Sequence, residues 1–571
     1  MARIAPESRW DAGEPWMHPA ASRIARKSRR MRTPFAGGPS ARQESSISDA
    51  RRSPSATPLS RTAEGGRNSM FLAALLLAAP AEDLQARLRH LESAAAAWAP
   101  APSPDTTRVA FLTTLFGARQ AATVELEGSY PTQLTDEPEG VVEVRYLPSE
   151  PGRLVVVALR DGRRRLILFE EEGAPPIPVD PDPGDQLLGG FSRDGKKLFY
   201  AVQNGATVSL RMFAVDSKKS SEVAPPPPAS GTQPAAGSLP LAEALSGLFA
   251  VGPPSPDGRA ILALVHRKAS EAVVIVDIAS ARGDVLVSSE KPARFRQPRF
   301  SPDGRTVYVL TDADRATMGV DAVVVLGRAR RTIHAPAQNV EAFAVSEDGH
   351  RLAVAVESNG QDIFSLLDFP SLRAQPLAVP PSGALAEGGL VWDHASERLL
   401  FGWRLSDDTT DVWELRIGRG TPSRITRSPR PGLSRASITR PSPVRVGDGL
   451  AWLWRPAEIA RPRVAVVIAA VPTRPVFDKR IAALNFAGIA VLAVNGEGAE
   501  KAALRYLKSA QDLDPREPLL LNPDGVEVED RSRWGGIVSG PGQHRGGLEL
   551  DRDHPDLRAL VRYARRGASA L

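Results

Sequence analysis

Through most of this chain, apolar and polar positions come in short packets of strand length. "KKLFYAV" (196–202), "RAILALV" (259–265), "RTVYVLTD" (305–312) and "RLAVAVE" (351–357) are apolar or alternating runs, most of them rich in β-branched or aromatic residues. Each follows a phrase ending in Asp-Gly: "GFSRDG" (190–195), "GPPSPDG" (252–258), "RFSPDG" (299–304) and "AVSEDG" (344–349). Asp-Gly predicts a tight turn, because glycine accepts positive φ and the aspartate binds neighbouring backbone amides. A second run such as "AVVVLG" (322–327) then predicts the next strand of a meander.

The phrase recurs at a fixed period. Its serines are Ser192, Ser255, Ser301 and Ser346, and weaker copies lie at Ser103, near Pro148 and near Asp393. Spacings are close to 45 residues, except for 63 between Ser192 and Ser255, where "EVAPPPPASGTQPAAGS" predicts an exposed Pro-rich loop over 222–238. Seven copies at this period, each with room for four short strands, predict a radial array of blades. The "SPDG" phrase with its following strand resembles the blade motif of TolB-type propellers and of the propeller domain in prolyl oligopeptidase-like serine peptidases. The repeats place a seven-bladed propeller at 100–435.

After "RITRSPRPGLSRAS" the period changes. "VRVGDGLAWLWRP" (444–456) precedes the apolar run "RVAVVIAA" (463–470), the amphipathic "FDKRIAALNFAG" (477–488) and a second run, "IAVLAVNGEG" (489–498). Strand–helix–strand at this length predicts an α/β unit. Its order resembles the start of the hydrolase domain of prolyl oligopeptidase-like proteins, the dipeptidyl and acylaminoacyl peptidase type included. The fold class expected is therefore mainly β, a seven-bladed β-propeller followed by an incomplete α/β-hydrolase-like domain at 440–571.

The positions that carry chemistry in that family differ here. Where the resemblance places an oxyanion loop reading His-Gly-Gly-Pro, this chain has Ala469, Ala470, Val471 and Pro472. Where it places Asn-x-Arg-Gly, the chain has Asn495, Gly496, Glu497 and Gly498. The nucleophile elbow falls on Asn522, Pro523, Asp524 and Gly525, which puts Asp524 in the place of the serine. Pro-Asp-Gly is also an ordinary turn, although a carboxylate can act as a nucleophile. "RWGGIVSGPG" (533–542) resembles the strand after a shortened elbow helix, and few residues are left for the acid and the histidine. Ser539 lacks elbow spacing, and His554 precedes an expected final helix, "PDLRALVRYARR" (555–566). No residue is assigned a catalytic role. The remaining histidines, like Asp312 and Asp314, are too scattered for a metal site, and neither a phosphate loop nor a dinucleotide fingerprint occurs, so neither metal nor cofactor is expected.

Composition narrows the rest. Cysteine is absent, which excludes disulfides, thiolate metal sites and a cysteine nucleophile. The formal charge of +6 is concentrated at the start: residues 1–69 hold 13 Arg and Lys against 6 Asp and Glu, which leaves the rest near neutral and predicts no nucleic-acid face. Residues 1–69 are rich in Arg, Ser, Pro and Gly and are read as a disordered basic extension, which translation from Met70 would omit. Residues 70–81 ("MFLAALLLAAPA") have the layout of a secretory signal, with an apolar centre too short for a transmembrane span. A helix is expected over 82–99.

The expected function follows. The chain reads as an exported propeller, periplasmic or secreted if 70–81 is a signal and cytoplasmic otherwise. Its hydrolase-like domain is expected to be non-catalytic, and a peptide or protein ligand to sit at the propeller face or channel. The alternatives are an active serine peptidase or esterase of the prolyl oligopeptidase type and a TolB-like envelope scaffold.

Overall fold

A computed structural model describes residues 83–224, 238–268, 270–469, 473–496, 498–524, 526, 528, 531–540, 548–549 and 555–566. The signal-like run 70–81, the extension 1–69 and most of the Pro-rich loop lie outside these residues.

Seven antiparallel sheets follow one another over 97–133, 141–178, 185–222, 239–288, 295–334, 340–377 and 383–424. Each is a meander of four consecutive strands, and the fourth sheet gains a short fifth strand, Leu239–Pro240, on its outer edge. The repeated phrase makes the turn from the first strand of a blade to the second. In the fifth blade the Ser301 hydroxyl donates to Asp303 Oδ1 (2.5 Å), and the Thr306 amide donates to Ser301 Oγ (3.0 Å). Ser192, Ser255 and Ser346 repeat both bonds, and so does Ser103 in the weaker copy at the first blade. A six-residue sentence thus fixes the same hairpin five times.

Between blades, apolar packing is joined by polar bonds such as the Arg164–Asp185 ion pair of the second and third blades (2.5 Å). Val109, Phe111 and Val124 of the first blade pack on Val391, Leu400 and Val412 of the seventh. No strand is shared across this seam among the described residues. It is held by that cluster and by backbone bonds such as Ala97 N–H to Thr410 O (2.9 Å) and Ala95 N–H to Pro429 O (2.8 Å).

The helix expected over 82–99 is shorter: α1 spans Leu84–Ser93, and Ala97–Pro102 is the first strand of the ring. Leu88 and Leu91 are buried, but against the C-terminal domain.

That domain is a seven-stranded mixed sheet. Its strands are β1 (Ser442–Val446), β2 (Gly449–Trp454), β3 (Arg463–Ile468), β4 (Ala490–Val494), β5 (Asp514–Asn522), β6 (Gly536–Ser539) and β7 (Leu548–Glu549). They lie in the order β1-β2-β4-β3-β5-β6-β7, with β2 antiparallel to its neighbours and the strands from β4 to β7 parallel. Helix α2 (Lys479–Phe486) starts where Asp478 Oδ1 accepts from the Arg480 and Ile481 amides, which satisfies two otherwise unpaired helix donors. With α4 (Leu557–Arg566) it covers one face of the sheet, while α3 (Ala499–Ser509) and Trp534 cover the other. The sheet is thus fuller than the sequence pattern indicates, since β7 was not legible as a strand. Between β5 and β6 the described residues hold a single 3₁₀ turn, Arg531–Arg533, where a full crossover helix is usual for parallel strands.

Candidate functional site

In an open parallel sheet, ligands and catalytic groups gather at the carboxyl ends of the strands. The register brings Ala469, Asn495, Asn522 and Ser539 to that edge: Ile468 lies beside Val494, Val467 beside Leu521, and Asn522 beside Ser539. Of the residues singled out in sequence, Ala470, Val471, Pro472, Glu497, Gly525 and His554 lie outside the described residues.

The end of β5 decides what this edge offers. Asn522 is fully buried, and its side chain closes a small loop by donating to Val526 O (2.7 Å) and accepting from the Val526 amide (2.8 Å). Pro523 and Asp524 form the turn inside that loop, and Asp524 is exposed to solvent. A nucleophile elbow requires a strand running sharply into a helix, so that the middle residue is held over the sheet. Here the strand runs into an asparagine-clamped turn instead. Ser539, at the end of β6, is buried, and its hydroxyl has no hydrogen-bond partner among the described residues. Asn495 accepts from the Thr473 amide (2.9 Å), which ties the loop after β3 to the end of β4. Asp312 and Asp314 belong to the propeller and pair with Arg294 and Arg330. Among the described residues no group of His, Cys, Asp and Glu is placed to hold a metal ion.

The propeller offers a second place, which the sequence reading did not single out by residue. The first strands of the blades line the channel, and at their S-x-D-G ends they enclose a cavity of about 120 Å³. Arg145, from the second blade, is almost wholly buried; it pairs with Glu143 and donates to Gly189 O (3.2 Å). Arg299 from the fifth blade, Arg193 from the turn of the third and Glu347 from the turn of the sixth line the same cavity. Burial, reinforced by the like charge of Arg145, pulls the Arg299 guanidinium well below its usual range. Burial also raises the Glu347 carboxyl to about 8, against the opposing pull of Arg299 and Arg193. The sequence carried a faint signal for this cluster: Arg299 and Arg145 hold equivalent places three residues before Pro302 and Pro148, where an apolar residue is expected.

A seven-bladed propeller followed by a sheet of this order is the fold of prolyl oligopeptidase-like proteins, and solved structures agree. A prolyl endopeptidase aligns over 83% of this chain and 76% of its own, with a TM-score of 0.62 and 12% identity. A puromycin hydrolase aligns over 80% and 79% at TM-score 0.61 and 16% identity, and a puromycin-hydrolyzing peptidase of Mycobacterium tuberculosis over 79% and 78% at 0.59 and 16%. At these identities the likeness is one of fold. No protein-family profile matches the chain, and no curated protein matches it in sequence.

Proposed function

We propose that this protein is a non-catalytic, peptide- or protein-binding member of the propeller-plus-hydrolase architecture. The observation that carries the reading is the turn at Asn522–Asp524, which occupies the position of the nucleophile elbow and leaves Asp524 exposed. The short connection from β5 to β6 supports it, because the helix that would follow an elbow has no counterpart among the described residues. The binding surface is then the propeller, whose turn-side cavity gathers charged groups from several blades. No helix among the described residues is long and apolar enough to cross a membrane. Export is proposed from the run at 70–81, and a mature chain beginning at residue 82 in an envelope fraction would support it.

The test is labelling of the purified protein with a fluorophosphonate, alongside hydrolysis of chromogenic peptide and ester substrates. Absence of labelling and turnover is expected. A working serine peptidase is the competing reading, favoured by the buried Ser539 hydroxyl at the strand edge. Labelling that Ser539→Ala or His554→Ala abolishes would establish that reading in place of the first.

A further inference from the structure

From each blade to the next the chain itself runs on, so a seam that parts is drawn together again by the connection. Between the seventh blade and the first the chain makes no such connection, and closure there rests on non-covalent contacts. The stretch that leaves the seventh blade, residues 425–440, is fastened to both sides of this seam.

On the side of the seventh blade the fastening is ionic. Asp407, Asp408 and Asp411, where its second strand turns into its third, are 1–2% exposed. Asp411 Oδ1 accepts from the Thr426 and Ser428 hydroxyls (2.9 and 2.8 Å) and from the Ser428 amide (2.8 Å). Asp408 pairs with Arg430, and Asp407 pairs with Arg435 (2.6 Å) and Arg440. A buried carboxylate that loses its partner is strongly destabilising, so the turn holds the outgoing chain firmly.

On the side of the first blade the fastening is through backbone and apolar packing. The Ala95 amide, two residues before the first strand of the ring, donates to Pro429 O (2.8 Å). Leu433 and Ile438 share one buried cluster with Leu88 and Leu91 of α1, and helices α2 and α4 of the C-terminal domain complete it. Gly432 (φ +72°) passes so close to His90 that a Cβ there would come within 2.4 Å of the imidazole. The C-terminal domain thus grips the chain entering the ring and the chain leaving it together.

We propose that residues 425–440 and the C-terminal domain form a lock on the propeller ring, which sets how readily the seam between the seventh and first blades opens while the other six stay closed. Such opening is local unfolding, confined to the seam that the chain does not span. The lock gives the C-terminal sheet a role that needs no nucleophile, and it does not depend on the peptide-binding reading.

Hydrogen–deuterium exchange of the full-length protein, read by mass spectrometry of peptic fragments, tests this. Arg430→Gln leaves Asp408 paired with Arg424 (3.0 Å), so the blade keeps its fold while the outgoing chain loses its hold. Fragments covering 95–102 and 408–413 are expected to exchange at least tenfold faster, with those of the third to fifth blades unaltered. Ile438→Ala, which lies outside the blade, should produce the same local pattern. Arg164→Gln breaks an ion pair across a seam that the chain does span, and should speed exchange there less than threefold. Unchanged exchange at 95–102 in both Arg430→Gln and Ile438→Ala overturns the lock. Equal acceleration in every blade overturns it too, because the loss is then global. An effect of Arg430→Gln with none from Ile438→Ala overturns the part given to the C-terminal domain. An Arg164→Gln effect as large at its own seam overturns the special standing of the unspanned one.

Discussion

Arg474 and Asp362 face each other at 3.3 Å across the join between the C-terminal domain and the sixth blade. Arg474 also reaches Glu341 (2.7 Å) and Glu357 (3.5 Å), so one guanidinium answers three propeller carboxylates. Nearby, Gly360 holds a left-handed turn (φ +80°) against Trp452 and Pro475, and a Cβ there would come within 2.5 Å of the Trp452 ring. The Phe477 amide donates to Leu405 O (2.7 Å), and Lys479 reaches Ala94 O (2.7 Å). The two domains thus meet through polar contacts around a buried charge, which makes the join sensitive to single substitutions.

Replacing Arg474 with methionine should therefore cost about 3 kcal/mol of stability, because Asp362 is 2% exposed and would be left buried without its cation. Burial already raises the Asp362 carboxyl, and Arg474 opposes that rise. Without the arginine the raised value climbs further, so the protonated form is favoured in the fold. The stability of such a group is complete below its unfolded value and lost as pH rises through its folded value. The deficit of the variant in urea unfolding should accordingly shrink below pH 4 and widen towards neutrality. A deficit that does not vary with pH would refute the argument.

The repeated turns predict the opposite acid response. Hydrogen bonds from Ser192, Ser255 and Ser301 hold the carboxyls of Asp194, Asp257 and Asp303 below their usual range, and backbone amides add to the effect. A depressed carboxyl contributes stability above its unfolded value and loses it as pH falls through the folded one. Propeller unfolding should ease as pH drops below about 4. Ser301→Ala, which strands the half-buried Thr306 amide, should cost about 1 kcal/mol and reduce that acid sensitivity.

What could be read from sequence divides along range of interaction. The S-x-D-G hairpin was legible because Ser301, Asp303 and Thr306 satisfy one another within six residues. Runs such as 463–468 and 490–494 were legible as strands because both faces of β3 and β4 are buried and their apolar character is continuous. Helix α1 was overextended for a related reason. "SAAAAW" favours a helix locally, but Ala97 is drawn into the ring by its bond to Thr410, more than 300 residues away. The channel mouth and the Arg474 contact were hidden in the same way, since Arg145, Arg299 and Glu347 meet only once the blades have closed.

Ser539 provides a stability measurement that separates the two functional readings. Its hydroxyl is 4% exposed and has no partner among the described residues, so its burial carries a desolvation cost with no return. Ser539→Ala should leave the melting temperature unchanged or raise it, by the equivalent of up to about 1 kcal/mol. A loss of more than 1 kcal/mol would mean that the hydroxyl is engaged, and would favour an organised site at the end of β6.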